Sequence, residues 1–550
     1  MGFPGPARVK TPRLTARSLA LVPLVFLVVL LAAPVVRLLA EGFGSGDLGT
    51  SGPLPWLALW QDDYLRWRVV WSLLQAAVTC VLALLLGLPV AWVLARREFA
   101  GRALVLRLLM LPFVVPTLVA ALGVLALWGP RGWLGAPLAE AGWRLDETPW
   151  LLLYGNLFFN LCLVVRAGVD ALEQVSAPRV AAARTLGATP WRAFWRVEWP
   201  AIAPWLASAL CLVFLYCFSG FGLALILGGQ RYATVEVEIY TLVAHELELG
   251  QAGVLAVWML GLTGAVALAY AWLEKRLAAP GRVIPMARQR PTGSAQWFAV
   301  WAAVGVLVLV CAAPLLAIGL QAGRALLVGQ GLDVLTETET LTALWNTLRF
   351  SAMALALATG LGLTHALAVR AFDASGSSQG GALAWRAAAY LPFVVSPVTV
   401  AFGLLLLYPS WTASLALLIG AYALLAYPFV AKSLTAALDN LPESYAQAAA
   451  TLGARPVRVL WRVTLPLVSQ ALRRGMAFAA ATALGEFAVT LFLSRPEWAT
   501  LTQLIYARLG RPGAANLDAA LVLACVLMAL ALLAFTLIEG PSKKDPAVHA

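Results

Sequence analysis

Few side chains in this 550-residue sequence could do chemistry, and they stand far apart. Glu486, in "ALGEFAVTLF", is a carboxylate in the middle of an apolar run, where a charge is expensive. In an internal repeat described below its place is taken by Gly220 of "FSGFGLALIL", so one copy brings a potential counter-charge and the other brings space. Such a carboxylate can face a passage and meet a cationic solute, or it can be satisfied by a neighbouring helix or held protonated. The histidines His245, His365 and His549 are too widely separated to indicate a metal site, and His365, inside an apolar run, reads as a packing residue. All six cysteines (Cys80, Cys162, Cys211, Cys217, Cys311, Cys525) also fall in apolar runs without CxxC spacing, as small packing residues do. No nucleophile lies beside a base, which argues against an enzyme. The Walker A pattern is absent too, so any ATP and its Mg belong on another subunit, and no cofactor of the chain's own is expected.

The elements that carry these residues follow from composition. With 61% hydrophobic and 12% charged residues, a water-soluble globule is excluded. The Leu/Ala/Val runs lack the period-two alternation of a membrane barrel, and roughly 20 apolar residues make a helix that spans a bilayer. Spans are predicted near 18–40, 67–95, 104–128, 149–170, 203–227 and 251–274, then 296–321, 342–370, 384–408, 413–432, 473–494 and 517–538. The expectation is an all-α integral membrane protein of about twelve helices. Most of the 39 Lys and Arg fall in loops on one side, which by the positive-inside rule puts both termini in the cytoplasm. The net charge of +12 is therefore a topology signal and not a nucleic-acid footprint. Trp67, Trp71, Trp128 and Trp133 read as interfacial belt residues, and Asp62, Asp63 and Tyr64 as the outer membrane edge.

The chain aligns with itself. At a shift of 266, residues 171–221 pair with 437–487 without a gap, and "LPFVVPTLVAALG" (111–123) matches "LPFVVSPVTVAFG" (391–403) at a shift of 280. Six helices per copy is an even number, so the repeats are parallel: 1–274 and 296–550, joined by a Pro/Gly/Arg-rich cytoplasmic linker, 275–295.

The most similar stretch is polar. "AAARTLGATPWRAFWRVEWP" (181–200) returns as "QAAATLGARPVRVLWRVTLP" (447–466) between the fourth and fifth spans of each copy. Good helix formers run up to Gly187, where a left-handed cap can end a helix; Thr189 can cap a second short helix with Pro190 at its first position, and Pro200 resets the chain before the next span. Two rigid hairpins at matching places suit a partner with two equivalent grooves.

The Ala182-Ala183, Leu186-Gly187-Ala188 pattern, with a proline thirteen positions after the glycine, is repeated at Ala448-Ala449 and Leu452-Gly453-Ala454. It resembles the cytoplasmic EAA loop of ABC importer permeases, whose type I (MetI-like) fold the chain would share. The family's naming glutamate is replaced by Ala181 and Gln447. The resemblance implies that these residues, with Pro190 and Arg192 in one hairpin and Pro456 and Arg458 in the other, form coupling loops (171–200 and 437–466) for two copies of an ABC ATPase. It also implies a periplasmic solute-binding protein, a place in the bacterial inner membrane and no nucleic-acid partner. Fused twelve-helix permeases occur in importers of ferric iron and of thiamine and its phosphates. "LWQDDYLRWRVVWSLLQA" (59–76), "RREFAGR" (96–102), "WGPRGWL" (128–134), "RVEWP" (196–200) and "LGGQRYATVEVEIY" (227–240) look most like the thiamine importers, whose cationic thiazolium Glu486 could meet. A secondary transporter is the rival with the same helix count, but the "RREFAGR" loop lacks that family's Asp, and Glu486 stands nearly alone as an intramembrane carboxylate.

Overall fold

Long apolar runs with no alternation close their backbone hydrogen bonds within each segment, and the chain is helical almost throughout. The computed structural model describes residues 13–44, 57, 59–277, 284–327, 332–374, 379–412, 414–493 and 495–540. The predicted linker is thus described only in part, residues 278–283 lying outside. Among the described residues no strand forms, and extended pairing is limited to two isolated bridges, Arg97 to Gln289 and Ser176 to Pro285.

Nine described helices are long and apolar enough to cross a membrane, from Ser18–Gly44 to Ala514–Glu539. The predicted span 104–128 is instead broken: Arg102–Phe113 and Thr117–Trp128 meet at 109°. Its counterpart 384–408 breaks at the same place in the repeat, where Ser396 caps the apolar helix Pro397–Leu407 by accepting the Thr399 N–H at 3.0 Å. A proline opens or precedes the second half of each (Pro397, Pro116), and proline cannot continue the preceding turn. The span 203–227 likewise divides into Trp199–Phe218 and Gly222–Leu227, and 473–494 into Ser469–Leu484 and Ala488–Leu493. Gly220 and Glu486 sit at these two breaks.

Proline shapes the opening helix of each copy as well. The π turns Val28–Ala32 and Val308–Ala312 end just before Pro34 and Pro314, whose missing N–H deprives a carbonyl four residues back of its partner. The wider turn accommodates the loss by pairing the Ala33 and Ala313 N–H groups with the Val28 and Val308 carbonyls.

These opening helices are exchanged between copies. A Cβ added at Gly403, in the second copy, would stand 2.8 Å from the Pro34 carbonyl oxygen of the first; one added at Gly123, in the first, would stand 2.9 Å from that of Pro314. Only glycine lets the backbones approach so closely. One compact unit accordingly gathers residues 1–38, 334–510 and 526–550, and the other 39–333 and 511–525. The packing units cut across the sequence repeats, which remain the units of internal similarity.

The two units share a further device. Ser72 accepts the Val235 N–H at 2.9 Å through its hydroxyl, and Thr347 accepts that of Leu501 at 2.9 Å. Each hydroxyl, from one long helix, satisfies an orphan donor at the start of another, Val235–Thr241 or Leu501–Leu509.

Candidate coupling and pathway sites

The two polar hairpins share the bonds of their glycine turns. In the first, the helix Ala177–Thr185 ends where Gly187 takes φ +83°; the Gly187 N–H donates to Arg184 O at 3.0 Å and the Ala188 N–H to Ala183 O at 3.1 Å. In the second, Glu443–Thr451 ends at Gly453 with φ +80°; Gly453 N–H reaches Ala450 O at 2.9 Å and Ala454 N–H reaches Ala449 O at 3.1 Å. This pair of bonds around a left-handed glycine closes the last turn and frees the chain to reverse. Thr185 and Thr451 return their hydroxyls to the Ala182 and Ala448 carbonyls at 2.8 and 2.7 Å.

The burial of the two hairpins also agrees. Ala182, Leu186, Gly187, Pro190 and Arg192 are exposed and Ala183 and Ala188 half-buried; Ala448, Leu452, Gly453, Pro456, Arg458, Ala449 and Ala454 repeat that order. Leu186 and Leu452 are each 88% exposed, an apolar tip that water alone would not select. Trp191 and Val457 stand beside them, also exposed.

The short helices that follow begin as the sequence predicts and end differently. Thr189 accepts the Arg192 N–H at 3.3 Å, with Pro190 next; in the second copy Arg455 occupies the cap and, having no acceptor, makes no such bond. Pro200 does not reset the chain. Each helix runs on through a π turn, Phe194–Glu198 or Leu460–Thr464, and Pro190–Phe218 is one helical stretch of 29 residues. As in the opening helices, the proline widens a turn and does not stop it, so the first hairpin and the span after it are one continuous helix, while in the second copy a turn at Val468 separates Leu465–Leu467 from Ser469–Leu484.

Ion pairs anchor this body. Glu198, on the π turn, meets Arg96 at 2.7 Å with both side chains buried, and Arg96 also donates to Leu172 O at 3.4 Å. Arg102 pairs with Glu173 at 3.2 Å; in the second copy Arg386 holds Asp439, the equivalent of Glu173, at 2.5 Å and Asp373 at 2.6 Å. These cross-ties escaped the sequence reading, although a Glu inside a basic, aromatic loop was a signal.

At the other candidate site, the helix break gives Glu486 a structural task. Its carboxylate accepts the Val489 N–H at 2.9 Å, capping Ala488–Leu493, while its carbonyl accepts the hydroxyls of Thr490 at 3.2 Å and Thr502 at 3.0 Å. Tyr422 bonds Thr490 alongside. The room expected at Gly220 is not there: an added Cβ would meet the Tyr216 carbonyl oxygen at 2.9 Å, because the chain folds tightly over the end of its own helix. Near that break the first copy instead carries amides. Gln75 donates to Cys217 O at 2.8 Å and accepts from Asn156 at 2.7 Å, and Asn160 donates to the Cys217 sulfur at 3.3 Å. Their signal was visible as amides inside the apolar runs "LLQAAVTC" and "YGNLFFNLC".

The remaining candidates find local work. His365 is buried with Nδ1 2.5 Å from the Tyr427 hydroxyl and its ring stacked on Trp385, a packing role. Asp62 caps the Asp63–Arg96 helix, accepting the Tyr64 N–H at 2.8 Å. Tyr64 joins the buried Arg68–Glu238 pair, which closes at 3.0 Å. Trp71 is not a belt residue: it is buried and donates to Tyr232 O at 2.8 Å.

Paired helical repeats with broken intramembrane helices and twin polar hairpins define a multi-pass membrane permease. Residues 83–279 and 383–539 both match the profile of the binding-protein-dependent transport system inner membrane component, and the chain belongs to that family as a fused two-domain permease. The thiamine transport system permease protein ThiP of Escherichia coli (strain K12) is 29% identical over 495 residues, covering 88% of this chain and 90% of that protein. The ThiP protein of Haemophilus influenzae (strain ATCC 51907 / DSM 11121 / KW20 / Rd) is 26% identical over 522 residues, 88% and 90% of the two chains. The sulfate transport system permease protein CysW of Synechocystis sp. (strain ATCC 27184 / PCC 6803 / Kazusa) is 30% identical over 207 residues, 38% of this chain and 73% of that protein. Family membership makes the chain a transport permease, of a class that in general works with an ATPase and a solute-binding protein.

Proposed function

We propose that this permease carries thiamine or its phosphates inward across the bacterial cytoplasmic membrane, driven by two copies of a separate ABC ATPase that bind ATP and Mg. In this reading both termini are cytoplasmic and the loops 171–200 and 437–466 are the coupling elements, with Ala182, Ala183, Leu186, Gly187, Ala188, Pro190 and Arg192 meeting one ATPase and Ala448, Ala449, Leu452, Gly453, Ala454, Pro456 and Arg458 the other. The observation that carries it is the matching pair of left-handed glycine turns in the two hairpins, each with an apolar tip, the first continuous with a span. A push on the first tip then moves a membrane helix as a rigid body. The cargo rests on the full-length similarity to thiamine permeases. A periplasmic binding protein delivers it, and Glu486, at the break of its helix opposite Gly220 in the repeat, supplies the negative charge that a thiazolium cation needs.

The test is uptake in proteoliposomes holding the permease, its neighbouring ATPase and its binding protein. Thiamine accumulation that follows ATP and ignores an imposed proton gradient supports the reading. Accumulation that follows the gradient points to a secondary transporter, and stimulation of hydrolysis by ferric ion in place of thiamine reassigns the cargo.

A further inference from the structure

The segment between the repeats is not slack where it is described. Residues 284–290 run extended along one end of the first copy and attach at two places. At one, Ile284 O accepts the Ala177 N–H at 3.0 Å, and Ala177 is the first residue of the hairpin helix. At the other, Gln289 donates its N–H to Arg96 O at 3.0 Å and accepts the Glu98 N–H at 3.1 Å. Between them Arg288 reaches Glu98 at 2.9 Å and Glu173 at 3.6 Å, and Glu173 also binds the buried Arg102.

These contacts converge on one element. Arg96, gripped through its carbonyl by Gln289, is the residue whose guanidinium holds Glu198. The segment therefore touches the first hairpin where its leading helix starts and, through Arg96, where its trailing π turn ends. The sequences of the two hairpins differ at the places the segment touches. Ala177–Thr185 has no acidic residue in its first turn, so its orphan N–H groups lack help from within. The second hairpin opens with Glu443, whose carboxylate suits a helix N-terminus, and carries Thr464 where Glu198 would be.

We infer that residues 284–290 are a strap that positions the first hairpin, with Arg288 and Gln289 as positioning residues, and that the strap stays docked throughout the transport cycle. The inference rests on the proposed function, since a hairpin that drives nothing has no coupling to lose. Single half-exposed ion pairs contribute little, but here three are closed around backbone bonds, so reversing the central charge opens the set together.

The experiment uses the full complex in proteoliposomes and reads thiamine carried per ATP hydrolysed. Arg288→Glu, which places a carboxylate against Glu98 and Glu173, is expected to lower that ratio by about threefold or more, in the range residues of a coupling network produce. Adding Arg97→Cys with Gln289→Cys, two positions that share a backbone bridge, is expected to restore the ratio when oxidised and lose it again under reductant, with the disulfide itself checked by thiol titration. A merely structural role would change the amount of protein and leave the ratio alone. An unchanged ratio in Arg288→Glu overturns the strap, as does loss of uptake on oxidising the two cysteines in an otherwise unaltered chain. If the unaltered complex itself carries no thiamine with ATP, the functional reading fails first, and the two failures are told apart.

Discussion

Arg96 and Glu198 meet at 2.7 Å in surroundings that bury both, joining the last residue of one long helix to the π turn that leads out of the first hairpin. Removing one partner of a buried pair leaves a bare charge and costs roughly 3–5 kcal/mol, whereas replacing both by apolar groups is close to neutral. Arg96→Leu and Glu198→Leu should each lower the thermal stability of the detergent-solubilised permease, and the double variant should recover most of the loss. If the effects of the two single changes simply add, the pair is not what holds the turn.

Gly187 and Gly453 adopt φ +83° and +80°, where a Cβ costs about 1–2 kcal/mol. Neither has a neighbour within 4 Å of an added Cβ, so the cost is backbone strain alone. Gly→Ala at either position should reduce ATP-driven uptake by a similar factor, and Gly→Asn, which tolerates this region better, should reduce it less. Parallel uptake assays on the four variants decide; equal effects of Ala and Asn would speak against a conformational cause.

The caps of the two short helices differ, and the difference can be exchanged. Thr189→Ala removes the acceptor for the Arg192 N–H and should cost about 1 kcal/mol, while Arg455→Thr gives the second copy the cap it lacks and should return a similar amount. Amide hydrogen exchange over 189–198 and 455–464 should speed up in the first variant and slow in the second.

Much of this architecture was legible in the sequence because it depends on local rules. The left-handed turns at Gly187 and Gly453 and the Thr189 cap are fixed within a few residues, and the spans by run length. What escaped needed distant partners. The π turn before Pro200 is different: it recurs before Pro34, Pro314 and Pro466, the last with Thr464 in place of Glu198, so the proline sets it and only its anchor, Arg96 about a hundred residues earlier, is distant. The apolar runs around Gly220 and Glu486 read as whole spans, since hydropathy counts composition and is blind to the side-chain groups that satisfy an unwound turn. The exchange of opening helices was equally hidden, being written only in two glycines, Gly123 and Gly403.

Glu486 has two separable roles, a cap and a charge. Glu486→Gln keeps an oxygen that can accept the Val489 N–H and removes the charge, so the permease should fold normally while thiamine uptake falls about tenfold, the loss of one charge-assisted contact. Glu486→Leu should lose the cap as well and lower thermal stability. Unchanged uptake in the Gln variant, with the ATPase subunit saturating, would take Glu486 out of the passage and leave it a cap.

The central claim is that both exposed hairpin tips dock an ATPase subunit. Cysteines placed by Leu186→Cys and Leu452→Cys, both at sites 88% exposed, test it by cross-linking in membranes that contain the whole transporter. The account predicts that each single variant captures one ATPase subunit and the double variant two, with the yield changing between nucleotide-free and ATP-bound states. Capture of the ATPase by neither tip, or labelling of the tips by an impermeant thiol reagent added from outside the cell, would contradict it.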